Sequence, residues 1–94
     1  MTETTDTTET TEPTGPERSG AWLRRNRENM GLTQRELAER LGEYLGRPPL
    51  NVMTIWRWEK GQRTPQARQC RAIAGVFGYD VMVVLRIMRR HEIF

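Results

Sequence analysis

The sequence contains a single cysteine, Cys70. One thiol forms no internal disulfide, and it is too few for a cysteine-rich zinc site. The chain also lacks an apolar run long enough to span a membrane. Its first residues have neither the hydrophobic stretch of a secretory signal nor the arginines of a transit peptide. We therefore expect a cytoplasmic protein without a membrane partner, in which Cys70 is a small core residue.

Residue sets that support catalysis are missing as well. The only histidine, His91, stands beside Arg89 and Arg90 and fits a solvated side chain better than a metal ligand or a base. No nucleophile is accompanied by a base, and no group of metal-ligating residues is present. We predict that the protein is not an enzyme and that it holds no metal and no cofactor.

Acidic and basic residues are unevenly distributed. Residues 1–17 hold five acids and no base, whereas from Arg18 onward there are 15 bases against 7 acids, a formal charge of +8. Such a basic surface attracts a polyanion and makes binding steeply dependent on salt. Charge alone does not distinguish nucleic acid from an acidic partner protein.

The first 19 residues have the composition of a tail. They repeat threonine and glutamate, include Pro13 and Pro16, and have no large apolar residue after Met1. Such a segment buries too little apolar surface to offset the entropy of ordering it. We predict a disordered acidic tail over 1–19. Its simplest role is to increase solubility, and the alternative is to mimic nucleic acid and weaken non-specific binding.

From Ala21 the spacing of apolar residues predicts two helices joined at Met30-Gly31. Glycine takes a positive φ readily, so Gly31 can end the first helix. Thr33 and Glu36 have the spacing of a capping box at the start of the second helix. Leu37, Ala38, Leu41 and Leu45 form its inward stripe, and Gly46-Arg47-Pro48-Pro49 must end it.

Two further helices are predicted after the prolines. Asn51 is a natural N-cap for a helix over 51–60, with Ile55 and Trp58 directed inward. Trp56 then belongs to the outer face or packs under Pro48-Pro49. Thr64-Pro65 is expected to open the fourth helix with proline at its first position. Its buried face is expected to consist of Ala67, Cys70, Ile73, Ala74 and Phe77.

The segment 79–94 is ambiguous. Val81, Val83, Leu85 and Ile87 alternate as in a strand, while Val81, Val84, Leu85 and Met88 also fit a helix face. The β-branched residues favour the strand. A strand without a partner in its own chain would pair with a second subunit, and a helix would offer Val84, Met88 and Phe94 for packing. Either form predicts dimerisation through this segment.

These features resemble the lambda-repressor and Cro-type helix-turn-helix family over residues 22–78. The resemblance depends on several short segments taken together, namely Gly31-Leu32-Thr33-Gln34 with Glu36-Leu37-Ala38, Ile55, Trp58-Glu59-Lys60-Gly61, Thr64-Pro65 and Ile73-Ala74. It implies a compact, mostly α repressor-type domain over 20–78, and binding to operator DNA as a dimer.

The resemblance also assigns roles to residues. Base edges would be met by Asn51, Val52, Met53, Thr54, Trp56 and Arg57. The DNA backbone would be held by Gln34, Arg27, Lys60, Gln62, Arg63 and Thr64. Arg27 would in addition pair with Glu59. A helix fits the major groove, and helix N-termini favour phosphate, so the assignment is physically consistent.

The chain departs from the family pattern between the second and third helices, where about seven extra residues replace a tight turn. Val52 and Met53 have no polar group for reading bases, so a thymine methyl is their expected target. We expect a dimeric repressor on double-stranded DNA, associated with the nucleoid. The alternatives are an antitoxin that also binds a toxin, and a protein-interaction module that uses the apolar residues of the same helix.

Overall fold

The structure, a computed structural model, describes the backbone of residues 15–89 and the side chains of residues 19–89. This part of the chain forms five helices, α1 (Gly15–Asn29), α2 (Gln34–Leu45), α3 (Val52–Glu59), α4 (Ala67–Phe77) and α5 (Val81–Arg89). The predicted mostly helical fold is confirmed over these residues. Because α1 begins at Gly15, it overlaps the end of the expected tail, whose first 14 residues lie outside the described range.

The apolar stripes of all five helices meet in one core. α2 packs on α3 and α4, α1 packs on α3, and α5 packs mainly on α4. The core includes the fully buried side chains Leu23, Leu37, Leu41, Ile55, Cys70, Ile73 and Val84. The prediction that Cys70 is a small core residue is confirmed. No helix within residues 15–89 is long and apolar enough to cross a membrane.

The predicted helix boundaries around α2 and α3 are confirmed. The Glu36 N–H donates to Thr33 Oγ1 at 3.0 Å, and the Thr33 N–H donates to Glu36 Oε1 at 2.8 Å. The Met53 N–H donates to Asn51 Oδ1 at 2.8 Å. Gly31, which follows α1, has a φ of 72°, in the left-handed region that glycine adopts without strain. Local hydrogen bonds therefore set these boundaries.

The long connection between α2 and α3 folds back on α2. The Leu50 N–H donates to the Ala38 carbonyl oxygen at 3.2 Å. A Cβ at Gly42 would lie 2.6 Å from the Pro48 carbonyl oxygen, so only glycine permits this approach. The extra residues are thus packed against the preceding helix and do not separate α3 from α2.

The predicted start of α4 at Thr64-Pro65 is wrong. The helix begins at Ala67 after Gln66, whose N–H donates to Gln69 Oε1 at 2.8 Å. Pro65 is instead a buried connector, and its carbonyl oxygen accepts a hydrogen bond from Arg89 Nη1 at 3.3 Å. Ala67, which was expected in the buried face, is exposed. The cap at Gln66 therefore marks the start of α4, and Pro65 connects this end of the helix to α5.

The preferred strand over the C-terminal segment is wrong too, because Val81–Arg89 is helical. Val84, Ile87 and Met88 are buried, and their spacing of three and four fits one helix face. The Met82 N–H donates to Asp80 Oδ1 at 2.8 Å, which caps the first turn. Packing on α4 outweighs the weak strand preference of valine and isoleucine. Phe94 lies outside the described residues.

Candidate nucleic-acid interface

α3 turns one side into the core and leaves the other uncovered. Ile55 is fully buried and Trp58 is 4% exposed. The opposite side, together with the N-cap residue, carries all six residues expected to read bases. We call this set the outer side of α3; it comprises Asn51, Val52, Met53, Thr54, Trp56 and Arg57. Three of these are exposed and three are half-buried. The helix is thus anchored in the core by one side and open on the other.

A cleft of about 270 Å³ borders the outer side of α3 towards α1 and α2. It is lined by Arg24, Arg27, Gln34, Trp56, Glu59 and Lys60. The Lys60 Nζ lies 5.8 Å from the centre of the Trp56 ring, within the range of a cation–π contact. Trp56 therefore supports Lys60 at the mouth of this cleft.

A second cleft of about 270 Å³ borders α3 on the side of α4. Its lining comprises Thr54, Arg57, Trp58, Arg63, Thr64, Gln66 and Gln69. The residues expected to hold the DNA backbone are thus divided between the two clefts, with Lys60 in the first and Arg63 in the second. Gln62 is exposed in the loop between them.

Glu59 is the centre of a shielded hydrogen-bond network. Arg27 donates from Nε to Glu59 Oε2 at 2.6 Å and from Nη2 to Oε1 at 3.2 Å, which confirms the expected pair. Gln34 Nε2 donates to the same Oε1 at 3.0 Å. Arg27 also donates from Nη1 to the Leu32 carbonyl oxygen at 2.8 Å. This network ties α1 and the start of α2 to the end of α3.

The network leaves Arg27 little freedom to bind anything else. Its side chain is 11% exposed, and all three of its nitrogens donate within the protein. The hydrogen bond with Glu59 raises the pKa of Arg27 above its ordinary value, although burial opposes that shift. A raised pKa keeps the guanidinium charged at every pH at which the protein is folded and handled. Arg24, at 59% side-chain exposure, is the arginine of α1 that meets solvent in the first cleft.

The electrostatics of this surface are positive. Glu59 is the one acidic residue between Asn51 and Tyr79, and its side chain is 4% exposed and paired with Arg27. The same stretch contains five exposed cations, namely Arg57, Lys60, Arg63, Arg68 and Arg71. Within residues 19–89, no carboxylate lies within ion-pair distance of Arg57, Lys60 or Arg63. An anion approaching α3 therefore meets uncompensated positive charge.

A helix-turn-helix family model of the lambda-repressor and Cro type matches residues 23–83. The chain belongs to this helix-turn-helix family. The matched segment covers more than half of the chain and contains both clefts and the outer side of α3. A search of curated proteins found no match. A helix-turn-helix domain is a DNA-binding regulatory domain, so the protein is a DNA-binding transcriptional regulator.

In this helix-turn-helix protein, α2 and α3 are the two helices of the motif, and their connection spans residues 46–51. The hydrogen bond from Leu50 to Ala38 and the contact of Gly42 with Pro48 hold this longer connection on α2. The inserted residues therefore do not prevent α3 from packing on α2, as the motif requires.

Several residues that line the two clefts or lie behind them were not found from the sequence. Arg24 lies three residues before Arg27 on α1, a spacing that places both on one helix face and was the available signal. Gln66 and Gln69 were missed because the start of α4 was misplaced. Gly20 was outside the predicted helix. A Cβ there would contact the Glu59 carbonyl oxygen and lie 2.6 Å from that of Trp58. The backbones of α1 and α3 therefore touch behind the interface.

Proposed function

We propose that this helix-turn-helix protein is a sequence-specific repressor that places the outer side of α3 in the major groove of a palindromic operator, bound as a homodimer on the nucleoid. One observation carries the proposal: α3 is uncovered and is bordered on each side by a cleft that contains exposed cations. An α-helix fits the width of the major groove. Flanking cations would then lie near the two phosphate backbones.

The proposal gives the residues different tasks. Asn51, Thr54 and Arg57 carry polar groups for base edges, while Val52 and Met53 meet thymine methyls. Trp56 contacts the groove edge and supports Lys60. The backbone is held by Gln34, Lys60, Gln62, Arg63 and Thr64, none of which is fully buried. Arg27 attracts the nearby DNA backbone through its charge. It also holds Glu59, to which Gln34 is hydrogen-bonded.

The decisive measurement is binding to fragments tiled across the DNA upstream of the coding sequence. Arg57→Ala should weaken binding to one protected site by about 1–3 kcal/mol and relax specificity there. Arg63→Ala should weaken all fragments evenly and reduce the salt slope by about one. Arg40→Ala is the matched control, because Arg40 is exposed on α2 and lines neither cleft.

Equal binding to every fragment, unchanged by Arg57→Ala, would contradict base reading by α3. No binding even at low salt would favour the protein-interaction alternative. That alternative has its own support, because Met53 is 46% exposed and Val52 and Trp56 are half-buried beside it. A salt dependence equivalent to several phosphates would exclude it.

The dimer is proposed to form through an apolar surface on α5. Val84 and Met88, which a helical segment was expected to offer to a partner, are buried within the chain. Met82 is 68% exposed, and Val83 and Leu85 are half-buried next to it. Apolar side chains left in contact with water favour a second copy across a two-fold axis.

Met82→Glu should convert the dimer to a monomer in sedimentation velocity. Met30→Glu, which places the same charge at a methionine 42% exposed at the end of α1, should leave the dimer intact. A monomeric native protein would contradict the dimer. A native monomer that becomes stable and stoichiometric only with a separate toxin would support the antitoxin alternative.

A further inference from the structure

Residues 1–14 carry four carboxylates, those of Glu3, Asp6, Glu9 and Glu12, and no base. Over residues 15–89 the chain has 14 bases against 7 acids. The surface with the least acidic charge is the one around α3, where Glu59 is shielded and the neighbouring cations are exposed. The acidic tail and the basic surface around α3 therefore have complementary charges.

The tail joins the fold close to that surface. Gly20 abuts the carbonyl oxygens of Trp58 and Glu59, at the end of α3. α1 begins at Gly15, about 7.5 Å further along the helix axis at 1.5 Å per residue. Lys60 and Arg63 follow directly after α3. Ser19, next to Gly20, donates from Oγ to the Ile87 carbonyl oxygen of α5 at 2.7 Å. The tail therefore joins the fold where α1 meets the ends of α3 and α5, and it has to extend from there to reach Lys60 and Arg63.

The tail is also long enough. Fourteen residues in extended form span about 46 Å at roughly 3.3 Å per residue. The longest dimension of the molecule is 45 Å. Residues 1–14 are therefore long enough to reach the outer side of α3 from Gly15.

We propose that residues 1–14 bind to the outer side of α3 and to Lys60 and Arg63, and so compete with DNA for this surface. The inference is founded on the proposed function, because it assigns the same surface to DNA. Long duplexes displace the tail through their higher charge density and through base contacts. The tail therefore reduces non-specific binding more than operator binding, since only the operator provides the base contacts.

The first test compares the native chain with a neutral-tail variant, Glu3→Gln, Asp6→Asn, Glu9→Gln and Glu12→Gln. At 50 mM salt the variant should bind non-specific DNA about tenfold more tightly, because a tethered competitor acts at millimolar effective concentration. Its plot of log affinity against log salt should be steeper by about one to three, corresponding to the cations that the tail had neutralised. Equal affinities and equal slopes would overturn the proposal.

The second test locates the tail without DNA. Thr8→Cys provides a spin-label site, because Cys70 is fully buried and does not react in the folded protein. The label should broaden the amide signals of Arg57, Lys60 and Arg63, and the broadening should vanish in the neutral-tail variant. Arg40 and Glu43 on α2 provide reference signals away from both clefts.

The two tests together separate the possible failures. Tighter DNA binding by the neutral-tail variant without localised broadening would mean a general effect of net charge and would overturn the proposed contact. Broadening at α3 with no DNA binding by either protein would overturn the proposed function and support the placement of the tail. Broadening together with tighter DNA binding by the variant would support both.

Discussion

The two sides of α3 differ in how far their side chains are buried and bonded within the protein. On the inner side, Ile55 and Trp58 are buried and Glu59 is bound by Arg27 and Gln34. On the outer side, Met53 and Arg57 are exposed and make no contact that the fold requires. The inner side thus determines the stability and position of the helix. The outer side is left free to determine what the helix binds, and mutations on the two sides should affect different measurements.

Removal of Glu59 should have the largest effect on stability. Glu59→Ala removes the carboxylate bound by Arg27 Nε and Nη2 and leaves the buried guanidinium only the exposed Glu28, 3.9 Å away, as a charged partner. The expected loss is about 3–5 kcal/mol in the free energy of unfolding. Urea denaturation measures this loss. The matched control is Glu28→Ala, since Glu28 is exposed, pairs with Arg24 at 3.0 Å and comes no closer to Arg27 than 3.9 Å. That pair should contribute less than about 1 kcal/mol. Similar losses in the two variants would contradict the distinction between the shielded and the exposed pair.

The next largest effect is expected where α1 touches α3. Gly20→Ala places a methyl group against the backbone of Trp58 and Glu59, which cannot move away cheaply, and should cost about 1–3 kcal/mol. Gly75→Ala is the control, because its Cβ would meet the ring of Tyr44, an exposed side chain that can rotate. This change should be neutral or should stabilise the helix by up to about 1 kcal/mol. A stable Gly20→Ala protein would show that the α1–α3 contact is adjustable.

Asn51 combines a structural role with an expected binding role, because it caps α3 and is expected to contact bases. Asn51→Ala should lower the free energy of unfolding by about 1 kcal/mol through loss of the cap. Asn51→Asp keeps an oxygen acceptor for the Met53 N–H and should therefore retain stability. The added negative charge should still weaken DNA binding at least about tenfold if the residue faces phosphates and bases. Unchanged DNA binding by Asn51→Asp would place this end of α3 outside the interface.

The smallest effect on stability is expected at Arg57. Because its side chain is exposed and unpaired among the described residues, Arg57→Ala should change the free energy of unfolding by less than about 0.5 kcal/mol. The same change should weaken operator binding by about 1–3 kcal/mol, as measured on the tiled fragments. A marked loss of stability would show that Arg57 has a structural role and would remove the contrast between the two sides.

The central part of the domain was predictable because its signals are local. Thr33 and Glu36 cap α2 within one turn, and Asn51 caps α3 in the same way. The inward positions of Ile55 and Trp58 follow from a spacing of three. The six candidate base-reading residues were assigned by resemblance, and the structure places them together on the uncovered side of α3.

The ends of the domain were harder to predict. Val81–Arg89 has a composition that favours a strand, and its helical form depends on packing against α4 and on the cap from Asp80. The start of α4 was misplaced although its signal is local, because the Gln66 N–H donates to Gln69 Oε1 only three residues away. Gln34 was assigned to the DNA backbone from the sequence, and only the structure shows that it also donates to Glu59 on another helix. For α5 and for Gln34 the deciding partner is remote in sequence.

The sequence by itself determined the caps, the glycine turns, the inward stripes of α2 and α3, and the excess of positive charge that follows the acidic tail. The caps, turns and stripes depend on hydrogen bonds and periodicity within three or four residues, and the charge depends on composition. Both can be read from the sequence. Only the tertiary structure decided that α5 is a helix, that Arg27 is enclosed while Arg24 meets solvent, and that Gly20 is the contact point of α1 and α3. Those outcomes depend on which helices meet, because burial and desolvation are properties of the packed molecule.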